Sequence, residues 1–210
     1  MSFAGPKNNC DLCVRLCEYR ESNKNKYSSY HNAPVPAFGS IDAEILVVGL
    51  APGLHGANQT GRPFTNDYAG DILYPALKKE GLAKGTYLKK NNDGFELLNV
   101  RITNAVRCVP PENKPTTMEE KNCRNFLIDE IGKMKNLKVI LCLGTISHKN
   151  VLASLGVKQS FAKFKHGEVY KLDKGICIID SYHTSRYNIN TGVLTEKMFD
   201  EIIAKIKGLI

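Results

Sequence analysis

Two cysteine pairs and one glycine-rich loop carry most of the chemistry that the residue types and spacings of this chain can offer. Cys10 and Cys13 stand as C-x2-C, a spacing that lets two thiolates face one metal centre from a single turn. Cys108 and Cys123 flank the proline-rich segment CVPPENKPTTMEEKNC, and the two pairs together can make a four-thiolate site for zinc or an iron–sulfur cluster. The alternative is plain packing, with Cys123 in the apolar stripe of a helix and Cys10 and Cys13 incidental in a frayed terminus. Cys17, four residues after Cys13, is either a substitute ligand or part of a stripe with Cys13 and Leu16. Cys142 and Cys177 lie inside strand-like runs and read as small core hydrophobes.

The loop is GLAPGLHGANQTGRPFTNDYAGDIL, from Gly49 to Leu73. Its glycines let the backbone approach a ligand closely, and amides at a loop-to-helix junction suit anions. A small-nucleotide enzyme using GLAPGLHG as a phosphate cradle is disfavoured, because the segment lacks the lysine of a P-loop and the G-x-G-x-x-G spacing.

The elements that must position these residues follow from hydrophobic pattern. Glu44 to Leu50, Leu97 to Val106, Lys138 to Leu143 and Gly175 to Asp180 are near-continuous aliphatic runs, as in strands covered on both faces. Pro115-Thr116-Thr117 with Glu119 and Glu120 is a helix start of capping-box type, followed by a stripe of Cys123, Phe126, Leu127, Ile131 and Met134. Thr195 caps a final helix with Met198, Phe199, Ile202, Ile203, Ile206 and Leu209 on one face. Shorter helices fit Asp71 to Glu80, stopped by Gly81, and Ile146 to Leu155, stopped by Gly156. Strands alternating with helices imply an α/β fold of three layers, α/β/α, around a mostly parallel four-stranded sheet. Sites in such sheets lie beyond the carboxyl ends of the strands. That rule selects the loops Ala51 to Gly70, Asn104 to Pro115 and Ser181 to Leu194.

The 210 residues suit one domain, 1–210, with no internal repeat and no need of disulfides. The formal charge of +8, from 29 basic against 21 acidic residues, suits a polyanionic partner as well as a merely soluble basic protein. No run approaches the roughly 18 apolar residues of a membrane span. The N-terminal MSFAGPKNNC has no leader-like apolar core, and seven cysteines without an even framework fit a reducing compartment, so a cytoplasmic monomer is expected.

Taken together, GLAPGLHGANQTGRPFTNDYAGDILYPAL at 49–77, ITNAVRCVPPENKPT at 102–116, HTSRYNINTGVLT at 183–195, CDLCVRLCEYRES at 10–22 and the position of Cys123 resemble the uracil-DNA glycosylase superfamily, specifically its iron–sulfur branch, family 5. The resemblance covers most of the chain. It implies a 4Fe-4S cluster on Cys10, Cys13, Cys108 and Cys123. It also implies a DNA partner carrying uracil or other deaminated bases, hypoxanthine among them, from which the base is excised by a monofunctional DNA glycosylase.

The resemblance further implies roles for single residues. His183 donates a hydrogen bond to the departing uracil, in place of capping a backbone carbonyl at a strand end. Phe64 stacks on the flipped base, Asn104 reads its edge, and Ala51, Gly53, His55 and Asn58 line the pocket, with the Gly56 amide beside them. Ser185, Arg186 and Tyr187 face the DNA, Tyr187 where some relatives push a wedge into the duplex. Two departures stand out. The first motif offers only Leu50 and Ala51 where many relatives carry a carboxylate or amide, so Asp67 is expected to position the water, with Asp71 behind it; either is otherwise an ordinary helix-start aspartate. Thr184 replaces the proline of His-Pro-Ser, which frees a φ angle beside the histidine. These departures sustain the rival expectation of a catalytically impaired iron–sulfur nucleic-acid-binding protein of the same fold.

Overall fold

The four aliphatic runs become the four parallel strands of one sheet in a computed structural model that describes residues 5–172 and 175–210. The first four residues of the N-terminal segment read for a leader lie outside the described residues. The strands are β1 (Ile45–Gly49), β4 (Val100–Asn104), β5 (Val139–Leu143) and β7 (Cys177–Ser181). The sheet has five strands where four were expected, in the order β4-β1-β5-β7-β6. The added β6 (Val169–Lys171) is antiparallel to β7 at the edge, and three residues are too short a run to show a period in sequence. The run Leu97 to Val106 is also divided. Asn99 at φ 59° breaks it, so Glu96–Leu97 (β3) pairs instead with Ala83–Lys84 (β2) in a separate hairpin.

Strand residues alternate between two cores. Ile45, Val47, Ile102, Leu141 and Ile179 pack against α3 (Tyr68–Lys79) and α7 (Glu196–Lys207). Leu46, Val48, Ile140, Cys142 and Ile178 pack against α4 (Thr117–Lys133) and α5 (Thr145–Ser154) on the opposite face. The result is the three-layer α/β/α arrangement, and a one-residue slip of any strand would exchange its two faces. The capping box is present, Thr116 Oγ1 accepting from the Glu119 amide while the Glu119 carboxylate accepts from the Thr116 amide. Thr195 likewise caps α7.

Three helices have no strong sequence pattern: α1 (Val14–Lys26), the single turn α2 (Ala57–Thr60) and α6 (Arg186–Asn190). α1 is held from outside. Arg15 forks onto Glu119 at 2.8 and 2.7 Å, and Arg20 donates to the Cys10 carbonyl at 3.0 Å. In the sheet register Gly49 lies opposite Asn104 and Leu143 opposite Ser181, so the strands deliver their following loops to one edge.

Candidate active site

That edge holds a cavity of about 270 Å³. All three loops reach it: Ala51, Gly53, Phe64 and Asp67 from the first, Asn104 and Asn113 from the second, His183, Ser185 and Arg186 from the third. Gly49 makes the convergence possible, since a Cβ there would lie 2.4 Å from both Asn104 Oδ1 and Phe64 Cζ.

Phe64 is nearly buried and sits at φ 56°, a left-handed conformation that a bulky residue keeps only when its surroundings hold it. Its ring centroid is 6.4 Å from that of His183, the planes 30° apart. Asn104 is buried at the end of β4, and its amide makes no hydrogen bond among the described residues, so it can donate and accept at once to a ligand.

Asp67 occupies the residue before α3, yet its side chain does not cap the helix. The carboxylate turns into the first loop, where Oδ2 accepts the Ala57 amide at 3.0 Å and the nearby Gly53 amide further favours its charged form. Two missing side chains open that slot: a Cβ on Gly53 or Gly56 would lie 2.4 or 1.9 Å from Asp67 Oδ1. Burial pushes the Asp67 carboxyl above the ordinary aspartate value, and nearby Asp71 adds to this against the opposition of the two amides. Asp71 itself does not line the cavity and pairs with Lys89 at 2.8 Å.

His183 follows β7 by two residues. Its backbone carbonyl accepts from Asn188 Nδ2 at 2.8 Å, while neither ring nitrogen has a partner among the described residues. Burial lowers its pKa to about 4, leaving a neutral imidazole that can donate one hydrogen bond. Thr184 is fully buried and its hydroxyl lacks a partner among the described residues, so packing restrains the backbone where the proline is missing. Ser185 Oγ caps α6 by accepting from the Asn188 amide, and the Arg186 guanidinium lies 5.2 Å over the Tyr68 ring. Tyr187 projects into solvent, 73% exposed, outside the cavity lining.

Two expected pocket residues are elsewhere. His55 Nδ1 lies 3.0 Å from the Tyr30 hydroxyl, edge-on to the stacked Tyr27 and Tyr30. Asn58 is buried and donates to Asn32 Oδ1 at 2.9 Å. Neither lines the cavity. Conversely, Tyr68 and Asn113 do line it, and sequence reading missed both. Asn113 stands at φ 56°, a conformation asparagine tolerates, and that tolerance within PPENKP was the available signal.

Cys10, Cys13, Cys108 and Cys123 share a second small cavity with Leu16, Val106 and Phe126. Burial pushes the Cys108 thiol up to about 12 and raises Cys13 and Cys123 as well, a setting in which thiolates need a cation. Among the described residues no three of these sulfurs lie within 4.8 Å of one another. Cys17 also lines this cavity, its thiol donating to the Cys10 carbonyl at 3.3 Å.

Another grouping, Cys142, His148 and Asp180, brings three buried donors together, and its histidine is engaged within the protein. His148 uses both ring nitrogens, Nδ1 at 2.7 Å from Asp180 Oδ1 and Nε2 at 3.0 Å from the Ala162 carbonyl. Burial opposes its protonation, but the Asp180 carboxylate outweighs burial and raises its pKa.

With this geometry in place, comparison with known proteins is direct. Residues 36–207 match the Uracil DNA glycosylase superfamily. The chain is 41% identical to a type-5 uracil-DNA glycosylase of Thermus thermophilus over 95% of its own length and 93% of the relative's. It is 40% identical to the type-5 enzyme of Pyrobaculum aerophilum, covering 94% and 87% of the two chains, and 38% identical to that of Mycobacterium leprae, covering 95% and 91%. A cavity at the carboxyl edge of a parallel sheet and this extent of similarity agree, and the chain belongs to the uracil-DNA glycosylase superfamily.

Proposed function

We propose that this chain, acting as a single domain, hydrolyses the N-glycosidic bond of uracil in DNA and leaves an abasic site. The observation that carries the reading is the meeting, in one cavity, of a neutral unbonded His183, the ring of Phe64, the free amide of Asn104 and the slotted carboxylate of Asp67. Unstacking the base costs a few kcal/mol, which the Phe64 face and the Asn104 amide offset. As the bond from the sugar C1′ to the base breaks, charge gathers on the uracil oxygen that the His183 N–H meets; a preorganised donor of this kind is worth about 3 to 4 kcal/mol. Asp67 steadies the cationic sugar and orients the water that bonds to C1′, taking the water's proton, which then neutralises the departed uracil anion. Asn113, with no side-chain partner among the described residues, offers that water a second contact. Hypoxanthine presents a carbonyl beside a ring N–H much as uracil does, so it is the expected second base.

Cys10, Cys13, Cys108 and Cys123 would hold a 4Fe-4S cluster, whose contribution is structural. The net charge of +8 suits a DNA backbone, with Ser185, Arg186 and Tyr187 at the last loop as its contacts. A monomer in the cytoplasm fits the reading, with all seven cysteines free of disulfides.

The test is His183→Ala. Single-turnover excision of uracil should fall about 100-fold while affinity for the duplex stays within about twofold. Equal loss of both would assign the histidine a structural part and favour a DNA-binding protein without the chemistry.

A further inference from the structure

Phe64 and Asn66 both lie in the left-handed region, at φ 56° and 62°. Asparagine tolerates this conformation, but the bulky Phe64 keeps it only where its surroundings over-determine it. One hydroxyl spans both. Tyr87 Oη donates to the Phe64 carbonyl at 3.4 Å and accepts the Asn66 amide at 3.1 Å. Gly70 clears the space, since a Cβ there would lie 1.8 Å from the Phe64 oxygen and 2.9 Å from Tyr87 Oη.

Tyr87 is in turn fixed by a buried ion pair. Both terminal nitrogens of Arg62 donate to Asp93, at 2.8 and 2.9 Å, and Arg62 Nε donates to Thr65 Oγ1 at 2.7 Å. Asp93 also accepts the amides of Leu88 and Phe95, clamping the loop that carries Tyr87. The guanidinium lies 5.0, 5.5 and 5.9 Å from the rings of Phe38, Tyr74 and Tyr87. Tyr87, Arg62, Asp93 and Asn66 do not line the cavity; Phe64, which Tyr87 holds, and Asp67, next in the chain to Asn66, do.

We propose that Tyr87, locked by the Arg62–Asp93 pair, is a positioning residue for base excision, setting the turn that presents Phe64 to the base and Asp67 to its slot. This rests on the glycosylase reading above. The residue acts by keeping the strained turn assembled before DNA arrives.

Tyr87→Phe keeps the ring against Tyr74 and Arg62 and removes only the hydroxyl. Single-turnover excision of uracil from a duplex should fall about tenfold, the equivalent of one or two buried hydrogen bonds, with duplex affinity nearly unchanged and the thermal midpoint lower by only about 3 to 6 °C. Arg62→Lys, which keeps the charge but not the fork, should reproduce the defect. In a Phe64→Ala background the further loss on Tyr87→Phe should shrink to about threefold or less, because much of what it positions is gone. Full additivity there, or Tyr87→Phe and Arg62→Lys at wild-type rate, would overturn the inference. A wild-type chain that excises nothing would instead overturn the glycosylase reading, and this inference with it.

Discussion

Burial disfavours the charged form of both His183 and Asp67 and so moves their pKa values in opposite directions. The imidazole falls to about 4, while the carboxyl rises above the ordinary aspartate value. Because the folded chain refuses the proton that unfolded His183 accepts below about 6.5, this residue's contribution to stability declines as pH falls from there to about 4. The single-turnover rate should therefore show no inflection near pH 6.5. It should fall only in the acid range where Asp67 takes its proton, above an ordinary aspartate. An inflection near 6.5 in that profile would contradict a neutral His183. Asp67 predicts a second effect of opposite sign. A raised folded pKa means the ionised form is penalised in the fold above the unfolded value, so Asp67→Asn should raise the thermal midpoint at pH 7 and lose that advantage in acid, while excision falls at least about tenfold. Calorimetry across pH beside the excision assay checks both; a lower midpoint at pH 7 would show that the charge stabilises.

Among the elements, the first loop does its work through what it lacks. Gly53 and Gly56 leave the room that Asp67 fills, and Gly49 leaves the room where Phe64 and Asn104 meet. Gly56→Ala should displace the carboxylate and lower excision about tenfold or more, with the far-ultraviolet circular dichroism unchanged; wild-type excision in this variant would detach Asp67 from the chemistry. The strands, α4 and α7 were legible in sequence because two-sided burial and capping leave strong local patterns. α1 was not, since it is held by Arg15 reaching Glu119 and Arg20 turning back to the Cys10 carbonyl and not by an apolar stripe. The site was legible loop by loop but not side chain by side chain. His55 and Asn58 share the first loop with Asp67, yet they face the Tyr30 and Asn32 side, and composition does not tell which way a loop residue turns. Asp67 shows the same limit, as its position before α3 suggests a cap that the side chain does not make.

At the scale of the whole molecule, the cysteine cavity joins the N-terminal segment to the loop that bears Asn113. Cys10 and Cys13 precede α1, Cys108 and Cys123 bracket the proline-rich loop, and the Arg15 contacts to Glu119 and the Lys114 carbonyl brace the junction. The reading predicts brown protein with about four irons per chain. Cys108→Ser should lose iron and thermal stability together. A colourless zinc form, fully folded and fully active, would contradict the cluster. No helix among the described residues is long and apolar enough to cross a membrane.

The most direct test of the account is alkaline strand cleavage of a labelled duplex carrying a single uracil, after incubation with the protein in EDTA. Cleavage at the uracil, with wild-type protein and not with His183→Ala, is the predicted result, because the chemistry is assigned to side chains and a water. An intact strand after incubation with iron-loaded, DNA-bound protein would contradict it.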